Sequence, residues 1–488
     1  MTARIEEQDS QTGQGSCRVR ATLAGRPPNP VEVGAGTAFL LDGTLEVDGF
    51  RPERVALRLG DAETEVEAYG MPPPRSYGAG PLWWAMIELP GSTQLGTFPL
   101  ILVAEGAGER AEMKLGEIEL VGELREPGPV AIPAELGRWE GGPIRVAICM
   151  ATYEPRREQL ERQIDSIRVQ SNEDWICVVS DDCSSPEALA ILERTVAGDP
   201  RFTISHSTCR LGFYRNFERA LRMIPDGPEL VAFADQDDRW DPDKLDALIK
   251  TLKANPGAAL AYTDMRIATD AGEILSDTHW YLRRNCCDDM ASMLVANTVT
   301  GAASMFRREL LAVGLPFPPA QPGQLAYHDH WLALCALALG EIAYLDRPTY
   351  DYTRHHDSVT IQAQREWLAP GRGRAGRAKL RWRRVTRRFR RWSEGFGWRA
   401  IYTGRYLLIR QLVAILEQRL GDRIAPEKRR SMRLLDEAER SPRAVAWLLA
   451  RALRPLIGRN ETLARERVIV AGLLWRRVVG RRARRQSG

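Results

Sequence analysis

From Val146 onward, short apolar runs alternate with amphipathic helical stripes, and that alternation restricts the fold to a sheet layered with helices. Val146–Met150 is followed by a stripe of Leu160, Ile164 and Ile167. Trp175–Val179 leads to Ser185-Pro186, a cap and a first-turn proline that open the next helix. Leu230–Ala234 precedes Leu245, Leu248, Ile249 and Leu252, spaced i, i+3, i+4 and i+7 behind an Asp241-Pro242 cap. Strands joined by helices lie parallel, and such sheets hold ligands beyond the carboxyl ends of the strands. Chemistry is therefore expected in the polar residues that follow each strand.

Those residues are Ala151-Thr152-Tyr153-Glu154, then Asp181-Asp182-Cys183-Ser184-Ser185, then Asp235-Gln236-Asp237-Asp238-Arg239-Trp240. Three carboxylates within four positions repel one another unless something cationic compensates them. Their oxygens suit hard ions such as Mg²⁺ or Mn²⁺, which share coordination with a substrate's phosphates. The alternative is a solvated acidic turn. Neither a GxGxxG nor a GxxxxGK[ST] loop stands at these strand ends, which argues against dinucleotide enzymes and P-loop NTPases.

The runs VAICMATYEP, VVSDDCSS and AFADQDDRWDPDKL resemble glycosyltransferase family 2, in that family's usual order. The FxDQDDxWxPxKL variant is similar to its rhamnosyltransferase-like subgroup. Leu211–Phe217, Val299–Ala302 and His328-Asp329-His330-Trp331 agree with it. The resemblance implies an inverting enzyme with the GT-A fold, a Rossmann-like, mostly parallel α/β domain at residues 143–362. It implies a nucleotide-diphosphate sugar donor and a glycan or lipid-linked glycan acceptor. Ala151, Thr152, Tyr153, Glu154, Asp182, Arg215, Asn216, Asp235 and Asp237 are its nucleotide-sugar residues. Thr300, Gly301, His328 and Trp331 line its acceptor side. Asp237, Asp238 and His355 are its candidates for the divalent metal, and Asp329 matches the catalytic carboxylate. An in-line displacement needs one base on the acceptor hydroxyl and electrophilic help at the leaving diphosphate, which Asp329 and a metal would supply. The competing reading of Asp329 is an acid placed for the helix dipole, and His328 and His330 are its expected neighbours. Two further classes compete: a nucleotidyltransferase, which would call for a Gly-rich loop after the first strand, and a non-catalytic scaffold.

The rest of the chain is expected to be accessory. Residues 1–16 are polar, without a secretory leader's apolar core, and read as disordered. Residues 17–122 alternate apolar and polar side chains in short runs, with Asp42-Gly43 and Pro90-Gly91 as turns, an all-β sandwich of immunoglobulin type. Residues 123–142 have a linker's proline and glycine. Residues 363–488 read as a basic helical region. From Arg365 the chain carries 34 Lys and Arg against 10 Asp and Glu, a net +24 that leaves −20 for the rest. In it Ala378, Trp382, Val385, Phe389 and Trp392 form one apolar stripe among arginines. That pattern suits an anionic membrane surface, or packing on the acidic domain or on a second copy in a homo-oligomer; a nucleic-acid partner lacks any recognised fold. The expected location is cytoplasmic, peripheral on the inner face of the membrane.

Overall fold

The computed structural model describes residues 8–12, 15–67, 81–122, 127–131, 146–281, 283–320, 326–354, 405–463 and 465–486. Its first part is two facing sheets. One contains β1 (Gln8–Thr12), β2 (Gly15–Leu23), β4 (Gly36–Asp48) and β7 (Leu82–Pro90). The other contains β3 (Val31–Glu32), β5 (Arg54–Leu59), β6 (Ala62–Glu65), β8 (Gly96–Gly106) and β9 (Glu109–Val121). Their inner faces share one core, with Phe39, Leu41, Trp83 and Ile87 from the first sheet against Leu57, Leu102, Met113 and Ile118 from the second.

Two expectations for this region change. The pairing of β1 with β2 begins ahead of residue 17, where the side chains (QDSQT) are too polar to signal a strand. Asp42-Gly43 is not a turn but lies inside β4. A Cβ on Gly43 would stand 1.8 Å from the Thr22 carbonyl oxygen, so glycine there permits close approach of two strands.

Alternation along β4 and β7 gives the first sheet a second apolar face. Ala38, Leu40, Trp84 and Met86 turn away from the sandwich and join the core of the α/β domain. The C-terminal helix Leu407–Leu420 packs there, and its Gln411 amide donates to the carbonyls of Ala38 (2.8 Å) and Pro319 (3.0 Å). Arg419 donates to the carbonyls of Gly36, Val313 and Pro316 at 2.7–2.8 Å. Arg222 bridges Glu32 of the sandwich (2.6 Å) and Glu218 of the α/β domain (2.9 Å), all three largely buried. Sandwich, α/β domain and C-terminal helices thus share buried contacts.

The α/β domain runs β10 (Val146–Thr152), α1 (Arg157–Arg168), β11 (Trp175–Asp181), α2 (Pro186–Val196), β12 (Phe202–His206), α3 (Phe213–Arg222) and β13 (Leu230–Ala234). Then follow β14 (Arg239–Trp240), α4 (Lys244–Ala254), β15 (Ala258–Thr269), β16 (Ile274–Ser276), α5 (Met290–Val295), β17 (Ser304–Arg307), α6 (Leu311–Gly314), α7 (His328–Leu339) and β18 (Glu341–Arg354). The strand order is β12-β11-β10-β13-β17-β15-β18-β14, with β16 beside β15. β12, β11, β10 and β13 are parallel, as the alternation requires. The other half is mixed, because β17 lies antiparallel between β13 and β15, and β14 and β16 are also antiparallel. Leu160, Ile164 and Ile167 are buried as their spacing implies, and Ser185 Oγ caps α2 by accepting from Ala188 N. Asp241 does not cap α4; its carboxylate pairs with Arg266 and the helix begins at Lys244.

The membrane-surface stripe Ala378–Trp392 lies outside the described residues. Described arginines of the same basic region are largely spent on protein. Arg451 and Arg454 pair with Asp289, and Arg410 with Glu67. Arg476 lies 4.7 Å over the Trp84 ring. Among the described residues no helix is long and apolar enough to cross a membrane.

Candidate active site

The ends of β10, β11 and β13 are tied together before any ligand arrives. Thr152 Oγ1 donates to Asp181 Oδ1 (3.0 Å), and the same buried carboxylate accepts from Ser184 N and faces His206 Nδ1 at 2.8 Å. Asp182 is buried too. Its oxygens accept from Leu211 N (2.6 Å), Gly212 N (2.9 Å) and Arg210 Nε (3.1 Å), which pins the loop ahead of α3. Glu154, at φ +44°, accepts from Ser185 N and Oγ and so joins the first strand end to the start of α2. Ala151 is half-buried at the end of β10. Tyr153 is exposed, with the Arg210 guanidinium 3.1 Å from its ring centroid. Its backbone N–H and carbonyl pair with the amide of Gln236 at 2.8 and 3.1 Å, so the residue between the acidic positions orients the first strand end.

The acidic run divides into two environments. Asp235 and Asp237 are half-buried, and Asp237's carbonyl accepts from Arg162. Asp238 is fully buried. Its Oδ1 accepts from Thr353 N of β18 at 3.1 Å, and its Oδ2 has no partner. Burial, then repulsion from Asp237 and Asp235, pushes the Asp238 carboxyl well above the ordinary range. The nearby Lys244 ammonium is also fully buried, 3.6 Å from the Trp240 ring, and donates to the Ala302 carbonyl. Burial drives its pKa down while Asp238 and Asp235 oppose that.

Asp329 stands in the first turn of α7 and is held from three sides. Oδ1 accepts from Asn297 Nδ2 (3.1 Å) and His330 N (2.6 Å), and Oδ2 accepts from Gly301 N (3.1 Å). Burial pushes its carboxyl up to about 6, and the donors at Gly301, His330 and Asn297 pull the other way. Sheet register brings this group to the acidic edge: Ala232 of β13 pairs Met305 of β17, so the Gly301 turn adjoins the carboxyl end of β13. His328 completes the bridge, stacked at 3.8 Å on Phe217 and edge-on at 4.7 Å to Phe233. A Cβ at Gly301 would meet His328 Nε2 at 2.6 Å, so only glycine fits.

The neighbouring histidines do not bond the Asp329 carboxylate through their rings. His328 has neither ring nitrogen hydrogen-bonded, and burial lowers its pKa to about 3. His330 turns its Nε2 to the Met293 carbonyl at 2.7 Å. Asn297, in the loop after α5, holds the carboxylate instead. The remaining expected residues separate. Thr300 is half-buried beside Gly301. Trp331 is buried, its indole N–H donating to the Gly314 carbonyl (2.7 Å), a core residue rather than an acceptor wall. Arg215 is drawn to Glu218, an i,i+3 pairing legible on the helix. Asn216 is buried and spans the ends of β10 and β11 through Thr152 and Ser180. His355 lies outside the described residues.

A helix-layered sheet thus gathers carboxylates at its strand ends, with the hydrogen-bonded Asp329 on the turn that adjoins β13. Residues 147–314 match the model of "Glycosyl transferase family 2" and form a domain of that family. An uncharacterized protein, y4gI, of Sinorhizobium fredii (strain NBRC 101917 / NGR234) is 31% identical over 128 residues, 26% of this chain and 14% of its own length. The chain therefore aligns with about a seventh of that relative. Staphylococcus aureus TarS 1–349 is similar in structure at 17% identity and TM-score 0.36, over 68% of this chain and 91% of that one. The mannosyltransferase PcManGT of Pyrobaculum calidifontis, in complex with GDP-Man and Mn²⁺, is similar at 18% identity and TM-score 0.35, over 70% and 92%.

Proposed function

We propose that this domain moves a sugar from a nucleotide-diphosphate sugar to a glycan or lipid-linked hydroxyl with inversion, Asp329 serving as general base. The observation that carries the reading is the Asp329 carboxylate, fixed by Asn297 and Gly301 N and raised to about 6. A base with that pKa is ionised at neutral pH yet basic enough to take a proton as the acceptor oxygen attacks. The hydrogen bonds fix the carboxylate before the acceptor arrives, which removes reorganisation from the barrier.

A divalent ion fits the carboxylates that follow β13. Among the described residues no three His, Cys, Asp or Glu side chains group to hold an ion alone. Mg²⁺ and Mn²⁺ sites of this kind need only one or two carboxylates, because substrate phosphates supply the rest. The half-buried Asp237 is the first candidate ligand, with Asp235 beside it. Asp238, buried and bonded to Thr353 N, braces the end of β13 against β18, and its Oδ2 has no hydrogen-bond partner. When bound, the ion would neutralise charge on the leaving diphosphate. The chain's own part is to place Asp235 and Asp237 at the end of β13 and to hold Tyr153 through Gln236.

The test is release of nucleoside diphosphate from a panel of nucleotide sugars, with Mn²⁺ and with chelator. At least one donor should turn over in Mn²⁺, and Asp237→Ala should lower that by orders of magnitude. Turnover untouched by chelator would refute the metal. No turnover with any donor, given bound nucleotide, would favour a non-catalytic scaffold.

A further inference from the structure

The C-terminal helices spend many arginines on protein contacts, yet they leave one apolar face uncovered. On the helix Pro442–Ala452 the buried stripe is Ala444, Val445, Leu448 and Ala452. The opposite side carries Ala446, Leu449 and Ala450 and runs on into Leu453, all exposed. The short turn Arg454–Ile457 extends it with Leu456 and Ile457, which are 73% and 75% exposed. Leu463 and Leu474 follow, so six of the 13 large apolar side chains exposed among the described residues lie between positions 449 and 474. Scattered singly, such residues need no explanation; gathered on one face, they mark an interaction surface.

The rim of this face carries one sign of charge. From residue 441 to 477 the chain has eight arginines against two acids, Glu461 and Glu466. Both glutamates are buried and engaged, Glu461 with Arg454 and Arg459, and Glu466 with the Thr462 hydroxyl. Arg443, Arg459 and Arg467 are exposed. Arg467 donates from Nε to the Ala452 carbonyl at 2.9 Å, which holds it at the helix end where Leu453 emerges. Solvent in this stretch therefore meets leucine and isoleucine between arginines, and no exposed carboxylate.

That combination fits an anionic bilayer, whose headgroup boundary takes in apolar side chains while its phosphates meet the guanidinium groups. A second copy is disfavoured, because a two-fold contact would set the arginine rim against itself. The face is also braced to the Asp329 edge. Arg451 and Arg454 bind Asp289, which caps α5 by accepting from Ser292 N at 3.0 Å. Just beyond α5, Asn297 donates to Asp329.

We propose that Leu449, Leu453, Leu456 and Ile457, flanked by Arg443, Arg459 and Arg467, form a docking surface for an anionic lipid bilayer. The proposal goes beyond the transfer reaction and agrees with a lipid-linked acceptor, but it is tested without donor or acceptor, so either reading can fail alone.

The experiment is co-sedimentation of the full chain with vesicles of phosphatidylcholine, alone or mixed with phosphatidylglycerol. Binding should require the anionic lipid and weaken as salt rises. The Leu456→Ser, Ile457→Ser double variant should bind at least about tenfold more weakly even at low salt, because the apolar part is unscreened. The Arg443→Gln, Arg459→Gln variant should lose at least about tenfold at low salt. Val169→Ser, a change at an exposed valine that ends α1, should bind as wild type. Absence of wild-type binding to anionic vesicles, or equal binding to neutral ones, overturns the surface. Undiminished binding in the Leu456, Ile457 variant also overturns it, by moving the contact to another segment such as Ala378–Trp392. A fall in oligomer mass in that variant without lipid overturns it in favour of a second copy. Should the double variant not fold, Leu456→Ser alone decides in the same sense. Asp329→Asn should bind vesicles as wild type does, and full transfer activity in it would sink the base while leaving the surface standing.

Discussion

Asp238 and Asp329 are two carboxylates raised by burial on one sheet edge, and their surroundings send them to different work. Asp238 has one hydrogen bond, two acidic neighbours and a buried lysine. Asp329 has three donors across both oxygens and a half-buried position. The difference is one of compensation. A carboxyl shut into the core between β13 and β18 belongs to the fold, whereas one held by neutral dipoles at a partly open edge can exchange a proton with an acceptor. In the proposed function, donor-side chemistry falls to Asp235 and Asp237, and base chemistry to Asp329.

The comparison breaks most visibly at Asp329. Asp329→Asn keeps shape and removes the base, so transfer should fall ~10²–10⁴-fold while donor affinity and melting temperature hold. A loss below tenfold, from steady-state kinetics, would point to another base. The opposite pattern is expected at Asp238. Asp238→Ala leaves the buried Thr353 N–H without its acceptor and should cost about 1–3 kcal/mol of stability, read by denaturant unfolding, with activity lost through the fold. A variant of normal stability would return Asp238 to the ligands.

Asn297→Ala sharpens the account of the carboxylate. Removing a donor that lowers the Asp329 pKa should move the acidic limb of kcat/KM upward from about 6. The sign follows from the base: it must be ionised, so activity falls as pH drops through its pKa. Turnover at neutral pH should fall by about tenfold or less, the worth of one hydrogen bond to a charged group. An unmoved limb would detach that limb from Asp329. The smallest effect belongs to His328→Phe. With no ring hydrogen bond to lose, the variant should keep the limb at about 6, even where the larger ring costs about 1–3 kcal/mol in thermal unfolding. Loss of the limb would make His328 the titrating group.

The sequence showed the strand ends because the period of β10, β11 and β13 is plain and their polar tails follow at once. It did not show which acid of Asp235, Asp237 and Asp238 faces inward, since that depends on β18 arriving to place Thr353 N beside Asp238. Asn297 was missed for a similar reason: a loop residue among other polar ones has no periodic signal until α7 brings Asp329 to it. The antiparallel β17 is four residues long, too short to register. Trp331 looked functional because it follows Asp329, yet its indole N–H belongs to the Gly314 carbonyl.

The central claim, one displacement driven by Asp329, can be read from stereochemistry without knowing the acceptor. With water as acceptor and a turned-over donor, the sugar first formed should show by ¹H NMR the anomer opposite to that in the donor, before mutarotation mixes the two. Initial release of the donor's own anomer would contradict a single displacement and the role given to Asp329.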